Sequence, residues 1–202
     1  MIIGFCGFKG SGKSTAANGA FSAVCENYDN HRQRVARRSF AEPLKDTCNR
    51  LFGLVLKSQL YGDKKEVVDP RYGKTPRQIL QEVGSFFRDN YGDDFWINAL
   101  DRQRVRVRYP NDADFALDSG GITIIDDVRY PNEADFVRNS GGIVIGIRRP
   151  GNGLDDDHAS ETKMHDHWDS MIDVEIVNDG TITDLRDRVK SVIEDSGILC
   201  TR

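Results

Sequence analysis

A chain of 202 residues with 38% hydrophobic and 30% charged side chains has enough apolar material for one good core, and its composition excludes a disordered, collagenous or membrane-embedded polymer. Its formal net charge of −4 excludes a positive coat for nucleic acid, but salt screening beyond a Debye length of about 8 Å leaves a local phosphate cleft to its own arginines. Cys6, Cys25, Cys48 and Cys200 are scattered without a C-x-x-C pair, so neither a zinc site nor a disulfide framework is expected, and a reducing cytoplasm fits.

The first predicted element is a buried parallel strand at Ile2, Ile3, Phe5 and Cys6, an apolar run too short for a secretory leader or a membrane span. It runs straight into GFKGSGKST, residues 7–15, which fits G-x-x-x-x-G-K-[ST]. Gly7, Gly10 and Gly12 permit backbone angles closed to residues with a Cβ, so that N–H groups can curl inward around an anion. A helix over 14–24 then turns its positive end toward that anion. In such a cradle Lys13 lies over the β- and γ-phosphates, the Ser14 hydroxyl ligates Mg²⁺, and Thr15 adds a bond to an inner phosphate. The cradle alone does not separate a kinase from a switch or a motor.

A polar connection at 27–33 leads to a second strand at 35–40, and Glu42-Pro43 opens a helix that carries Leu44, Cys48, Leu51, Phe52 and Val55 at helical spacing. Residues 57–74 read as a charged, irregular excursion. Thr75-Pro76-Arg77-Gln78 has the pattern of a capping box with proline at the first helical position. The helix it starts has an apolar face of Ile79, Leu80, Val83, Phe86 and Phe87. At 100° per residue Arg77, Gln81, Gly84 and Arg88 fall within about 60° of one another on a different face. Two guanidinium groups that share a direction, with a glycine between them leaving room for a ligand, read either as solvated arginines or as a second phosphate site.

A helix over 94–107 includes Trp96, which by itself reads as core, and 111–121 is a turn-rich connection. A third strand at 122–125 ends in Asp126-Asp127, where carboxylates in a doubly wound sheet sit beside the glycine loop and can hold Mg²⁺ through water or orient an acceptor. Strand alternation inverts with a one-residue slip, so the pattern does not say which aspartate faces the nucleotide. A helix over 131–139, a strand over 142–147, the exit Arg148-Arg149-Pro150, a strand over 172–177, a turn at 178–181 and a helix over 182–196 complete the order. Alternating strands and helices predict an α/β fold with a five-stranded parallel sheet covered on both faces. Asp155, Asp156, Asp157, His158, His165 and His167 could hold a structural metal, although the segment reads better as a charged lid.

Six stretches in this order, GFKGSGKST, SFAEPLK (39–45), TPRQILQEVGSFFR (75–88), IIDDVRYPNEADFV (124–137), HASE (158–161) and IVNDGTITDL (176–185), resemble the phage-type deoxynucleoside monophosphate kinases of the P-loop nucleoside monophosphate kinase superfamily. The resemblance spans most of the chain, and DVRYPNEA with TPRQILQ is its most specific part. It implies a single P-loop kinase domain over 1–202 with a monophosphate-binding insertion at about 40–108 and a lid at about 149–170. The activity implied is ATP-dependent, Mg²⁺-assisted phosphorylation of a deoxynucleoside 5′-monophosphate to the diphosphate.

In that reading Lys13, Asp127, Arg129 and Arg148 or its neighbour Arg149 act at the transferred group, and Gly10, Ser11, Gly12, Lys13, Ser14, Thr15, Asn178 and Gly180 hold ATP, with the turn at Asn178 framing the adenine. Ser14 is the metal ligand, and Lys45, Arg77, Gln81, Arg88, Trp96, Asp126 and Arg129 form the acceptor site. Ser85 stands where the family leads one to expect threonine, which keeps the hydroxyl. The resemblance also implies small nucleotide substrates, a homodimer, no stable nucleic-acid or membrane partner, and the cytoplasm, that of the host if the gene is a phage's. A kinase for dephospho-coenzyme A or another small alcohol, or a nucleotide-gated binding module, is the competing expectation.

Overall fold

The computed structural model describes residues 1–27, 35–54, 57–106, 121–151 and 164–198. The chain forms two compact units, one of Met1–Ser39 with Arg104–Arg202 and one of Phe40–Gln103. The strands are β1 (Ile2–Cys6), β2 (Val35–Arg38), β3 (Ile122–Val128), β4 (Ile143–Arg148) and β5 (Val174–Val177). The helices are α1 (Lys13–Asn27), α2 (Glu42–Phe52), α3 (Lys57–Tyr61), α4 (Pro76–Tyr91), α5 (Phe95–Arg106), α6 (Pro131–Asn139), α7 (Trp168–Met171) and α8 (Ile182–Asp195).

All strands of the first unit pair in parallel, in the order β2-β3-β1-β4-β5. The period of two along β1 sorts its residues between the faces of the sheet. Ile3 and Phe5 pack with Ala16, Ala17, Ala20 and Val24 of α1 and with Leu185, Val189 and Ile193 of α8. Gly4 faces the other way, where a Cβ would lie 3.0 Å from Val128 and 3.1 Å from Val137 of α6. Helices therefore cover both faces, as the alternation predicts, and each fully buried large aliphatic side chain contributes about 1.5–3 kcal/mol. The loop after β1 thus starts from a strand whose every residue is buried.

In the second unit Cys48, Leu54, Leu60, Ile79 and Leu80 form the core, with Leu44, Phe52 and Val83 packed against it. The predicted capping box at the start of α4 is present: the Thr75 hydroxyl accepts from the Gln78 N–H at 3.1 Å, and the Gln78 side chain accepts from the Thr75 N–H at 2.8 Å. Phe87, Tyr91, Phe95 and Trp96 make a connected aromatic group.

Several expectations are corrected. The segment 57–74 is structured: α3 is followed by a 3₁₀ turn at Asp63–Glu66, and the Arg71 guanidinium clamps the Asp69 carboxylate at 2.6 and 3.0 Å. Phe86 is 55% exposed instead of buried, although its ring meets Phe87 edge-on. Gly84 offers a ligand no room, since Leu44 lies 3.2 Å from where its Cβ would be. The helix after the glycine loop starts at Lys13 and continues to Asn27, and the second strand stops at Arg38. β3 runs on through both aspartates to Val128 instead of ending before them.

The connection at 111–120 and the lid residues 152–163, with Asp155, Asp156, Asp157, His158 and the HASE stretch, lie outside the described residues, as does Cys200. Cys6 and Cys48 are buried free thiols and Cys25 an exposed one. No helix among the described residues is long and apolar enough to cross a membrane.

Candidate active site

The glycine loop leaves β1 at Cys6 and enters α1 at Lys13. Gly10 and Gly12 take φ of 77° and 102°, which explains why the motif needs glycine there. Gly7 is constrained by space as well, since a Cβ would lie 2.5 Å from the Ile147 carbonyl oxygen and 2.6 Å from Ser11 Oγ. The Ala16 N–H donates to Gly12 O at 2.9 Å, so helical bonding starts inside the motif and leaves first-turn N–H groups pointing toward the loop. Lys13 Nζ curls back over the loop and donates to the carbonyls of Gly7 and of Phe8, the latter at 2.9 Å. Carbonyls accept more weakly than charged phosphate oxygens, so a polyphosphate can take over this ammonium. Ser11 is buried, with an Oγ that has no hydrogen-bond partner among the described residues, whereas Ser14 is exposed and Thr15 half-buried.

The two aspartates of β3 face different partners. Asp126 Oδ2 accepts from Arg37 Nη2 at 2.6 Å, and the same guanidinium donates to Asn18 of α1. Asp127 Oδ2 accepts from Ser39 Oγ at 2.6 Å. The pairing is irregular here: β1 pairs Gly4 with Ile125 but Cys6 with Val128, so Asp126 and Asp127 together oppose Phe5.

Beyond β3, Glu133 organises the DVRYPNEA segment. It is only 2% exposed, and one carboxylate oxygen accepts from the Arg129 N–H at 2.8 Å and the Tyr130 N–H at 3.2 Å. Pro131 at the first position of α6, followed by Glu133, is the local sequence signal for this cap. Removing a buried acceptor leaves its donors unsatisfied, so Glu133→Ala is expected to lose about 3 kcal/mol, a fall of about 6–12 °C in melting temperature. Glu133→Gln, whose amide oxygen can accept both bonds, recovers most of that in thermal denaturation.

Cys6 lies where these charges converge. Burial pushes its thiol up to about 12, while Lys13 and Arg129 pull it down and Glu133 raises it. Two of the expected catalytic cations are therefore felt at the end of β1, and the thiol stays protonated at neutral pH, unsuited to act as a nucleophile.

On the other side of the loop, Arg148 Nη2 pairs with Glu175 Oε1 at 2.5 Å, and Glu175 Oε2 accepts from Trp168 Nε1 at 2.8 Å. Trp168 stacks on Phe8 of the loop, with ring centroids 5.5 Å apart. Asn178 donates through Nδ2 to the Ser11 carbonyl at 2.8 Å, and Gly180 sits in the turn before α8. A Cβ at Gly180 would meet Asp184, the side chain that completes the capping box with Thr181.

In the second unit Arg77 and Arg88 lie on α4 with Gln81 between them, all half-buried. Arg77 Nε donates to Glu66 Oε1 at 2.5 Å. Lys45 Nζ sits 3.9 Å above the Tyr61 ring. Trp96 is 2% exposed and its indole N–H donates to Gly84 O at 3.1 Å, so it packs inside the unit. Among the described residues no group of three His, Cys, Asp or Glu side chains is placed to hold a metal ion.

The chain matches the deoxynucleotide monophosphate kinase family over residues 77–189. A protein of Acanthamoeba polyphaga mimivirus that bears the same family's name is 34% identical over 221 aligned positions, covering 97% of each chain. Among solved structures, the shikimate kinase of Aquifex aeolicus superposes with a TM-score of 0.46 at 13% identity, over 98% of this chain and 99% of that one. The dephospho-CoA kinase of Campylobacter jejuni superposes with a TM-score of 0.44 at 14% identity, over 96% of each chain. The parallel sheet, the glycine loop between β1 and α1, and a match that extends from the TPRQILQ helix to the last helix lead to one conclusion: the chain belongs to the deoxynucleotide monophosphate kinase family.

Proposed function

We propose that the protein transfers the γ-phosphoryl group of ATP to a deoxynucleoside 5′-monophosphate, releasing ADP and the deoxynucleoside diphosphate. The observation that carries this reading is the formed phosphate cradle, with Gly10 and Gly12 at positive φ and the Lys13 ammonium over its mouth, in a chain of this family. The residues fit a polyphosphate with a hard divalent cation: an ammonium, inward backbone donors, an exposed Ser14 hydroxyl and two carboxylates at the end of β3. Ser14, with Asp127 through water, would hold Mg²⁺, which would supply charge neutralisation at the donor phosphates.

The chain's own residues do the positioning. Lys13 and the loop amides hold the donor phosphates, and Arg129, fixed at its backbone by Glu133, neutralises charge on the transferred group. Arg148, at the end of β4, exchanges Glu175 for phosphate oxygens, and the lid that follows it excludes competing water. In this reading the Phe40–Gln103 unit is the acceptor-binding insertion, with Arg77 and Arg88 gripping the monophosphate and Gln81 and Lys45 supporting it. The acceptor phosphate is already ionised, so no general base is required. The reading includes a homodimer and a cytoplasmic setting.

The decisive experiment mixes the protein with ATP, Mg²⁺ and each of the four deoxynucleoside monophosphates and separates the nucleotides by ion exchange. No diphosphate from any acceptor rejects the proposal. A charge-assisted hydrogen bond contributes about 1.5–3 kcal/mol, so Arg77→Ala and Arg88→Ala are each expected to raise KM for the monophosphate about ten- to a hundredfold while KM for ATP stays within about twofold. Unchanged monophosphate kinetics in both variants remove the acceptor assignment.

A further inference from the structure

We propose that Asn178 is a positioning residue for the donor-phosphate loop, acting on the loop's backbone instead of on the adenine of ATP. The inference takes the identity of the donor from the proposed function and adds how the loop is held. Asn178 is the first residue after β5, and both its main-chain N–H and its side-chain Nδ2 donate. The main-chain N–H donates to the Arg148 carbonyl at 2.7 Å, which ties it to the end of β4. The side-chain Nδ2 crosses to the Ser11 carbonyl at 2.8 Å, 167 positions away in sequence. The amide also fills the space behind Gly12: a Cβ there would lie 2.6 Å from Asn178 Nδ2 and 3.3 Å from Leu185 Cδ2. Gly12 is therefore glycine for two reasons, its φ of 102° and the proximity of Asn178.

The consequence for phosphate binding follows from peptide geometry. In a planar trans peptide the C=O and the following N–H point in opposite directions. The Ser11 carbonyl and the Gly12 N–H belong to one such unit. A donor that holds the Ser11 oxygen outward holds the Gly12 N–H inward, where a phosphate oxygen can accept it. Without that donor the unit can rotate, turning a carbonyl dipole toward the anion and removing an amide from the nest. Because the hydrogen bond reaches only backbone, its effect depends on the phosphates and ignores the base.

The test compares the affinities of Mg²⁺-ATP and of Mg²⁺-tripolyphosphate, a probe without sugar or base, for the wild type, Asn178→Ala and Asn178→Asp by calorimetry without acceptor. Both ligands are expected to weaken by the same factor, about tenfold for alanine and more for aspartate, whose carboxylate faces the Ser11 oxygen and adds negative charge. The Gly12 amide proton is expected to shift downfield when tripolyphosphate binds the wild type, and to shift much less in Asn178→Ala. Loss of ATP affinity with tripolyphosphate unaffected overturns the proposal in favour of an adenine contact. It is also overturned if neither affinity changes, if the wild type does not bind tripolyphosphate, or if both variants are unfolded by circular dichroism, which would make Asn178 a determinant of the fold. Acceptor turnover plays no part in the measurement, so failure of the kinase reading shows in the four-substrate assay and leaves this result standing.

Discussion

Lys13→Ala is expected to lower kcat/KM by about a hundred- to ten-thousandfold, with little change in the melting temperature of the ligand-free protein. The ammonium is placed over the loop by the carbonyls of Gly7 and Phe8, and two charged phosphate oxygens replace those acceptors when ATP binds. Two charge-assisted bonds at about 1.5–3 kcal/mol each account for the range. The bonds to Gly7 and Phe8 that the ligand-free fold loses run from a partly exposed side chain to its own loop, so their loss costs little stability. Arginine at this position is not a rescue, because a planar fork cannot reproduce a compact point charge inside a backbone ring. Steady-state kinetics beside a thermal melt separate the outcomes; more than about a tenth of wild-type activity in the alanine variant refutes the cradle as the donor site.

Gly7→Ala tests the loop's geometry without removing any charge. A methyl group there would approach the Ile147 carbonyl oxygen to 2.5 Å, Ser11 Oγ to 2.6 Å and Lys13 Cγ to 3.1 Å, at a φ of 155°. Ile147 belongs to β4, paired with β1 and β5, so its carbonyl cannot retreat and the loop must move. Overpacking of this kind costs about 3 kcal/mol, a fall of about 6–12 °C in a protein this size, together with loss of detectable ATP binding. Gly141→Ala is the control. Its φ is 72°, but nothing lies within 4 Å of the added carbon, so it pays only the left-handed backbone cost of roughly 1–2 kcal/mol and retains ATP affinity. Equal ATP affinity in Gly7→Ala and Gly141→Ala contradicts the crowded-loop account.

The parts of the candidate site that were legible in sequence are those whose chemistry is local. The loop requires its glycines, lysine and serine at consecutive positions, and the capping boxes at Thr75 and Thr181 join residues three apart. Misjudged residues depend on neighbours distant in the chain. Phe86 satisfies the helical apolar pattern yet is 55% exposed, because burial is set by what packs opposite a helix. Gly84 lies between two arginines where the helical pattern predicts open space, yet Leu44 covers it. Ser39 and Arg37, the partners of the paired aspartates, sit about ninety positions away from them and carry no motif that links them in advance.

Sequence by itself determined that β1, a phosphate loop and α1 follow one another, that strands and helices alternate into a parallel sheet, and that two arginines share a face of α4, because backbone periodicity and short-range capping encode all three. Tertiary structure alone decided that Asp126 meets Arg37 while Asp127 meets Ser39, that Glu133 is buried beneath the Arg129 backbone, and that Asn178 reaches the Ser11 carbonyl. The physical reason is long-range pairing: β2 and β3 must lie side by side before Arg37 and Ser39 can reach the two aspartates, and a strand end brings position 178 against position 11 only once the sheet has formed.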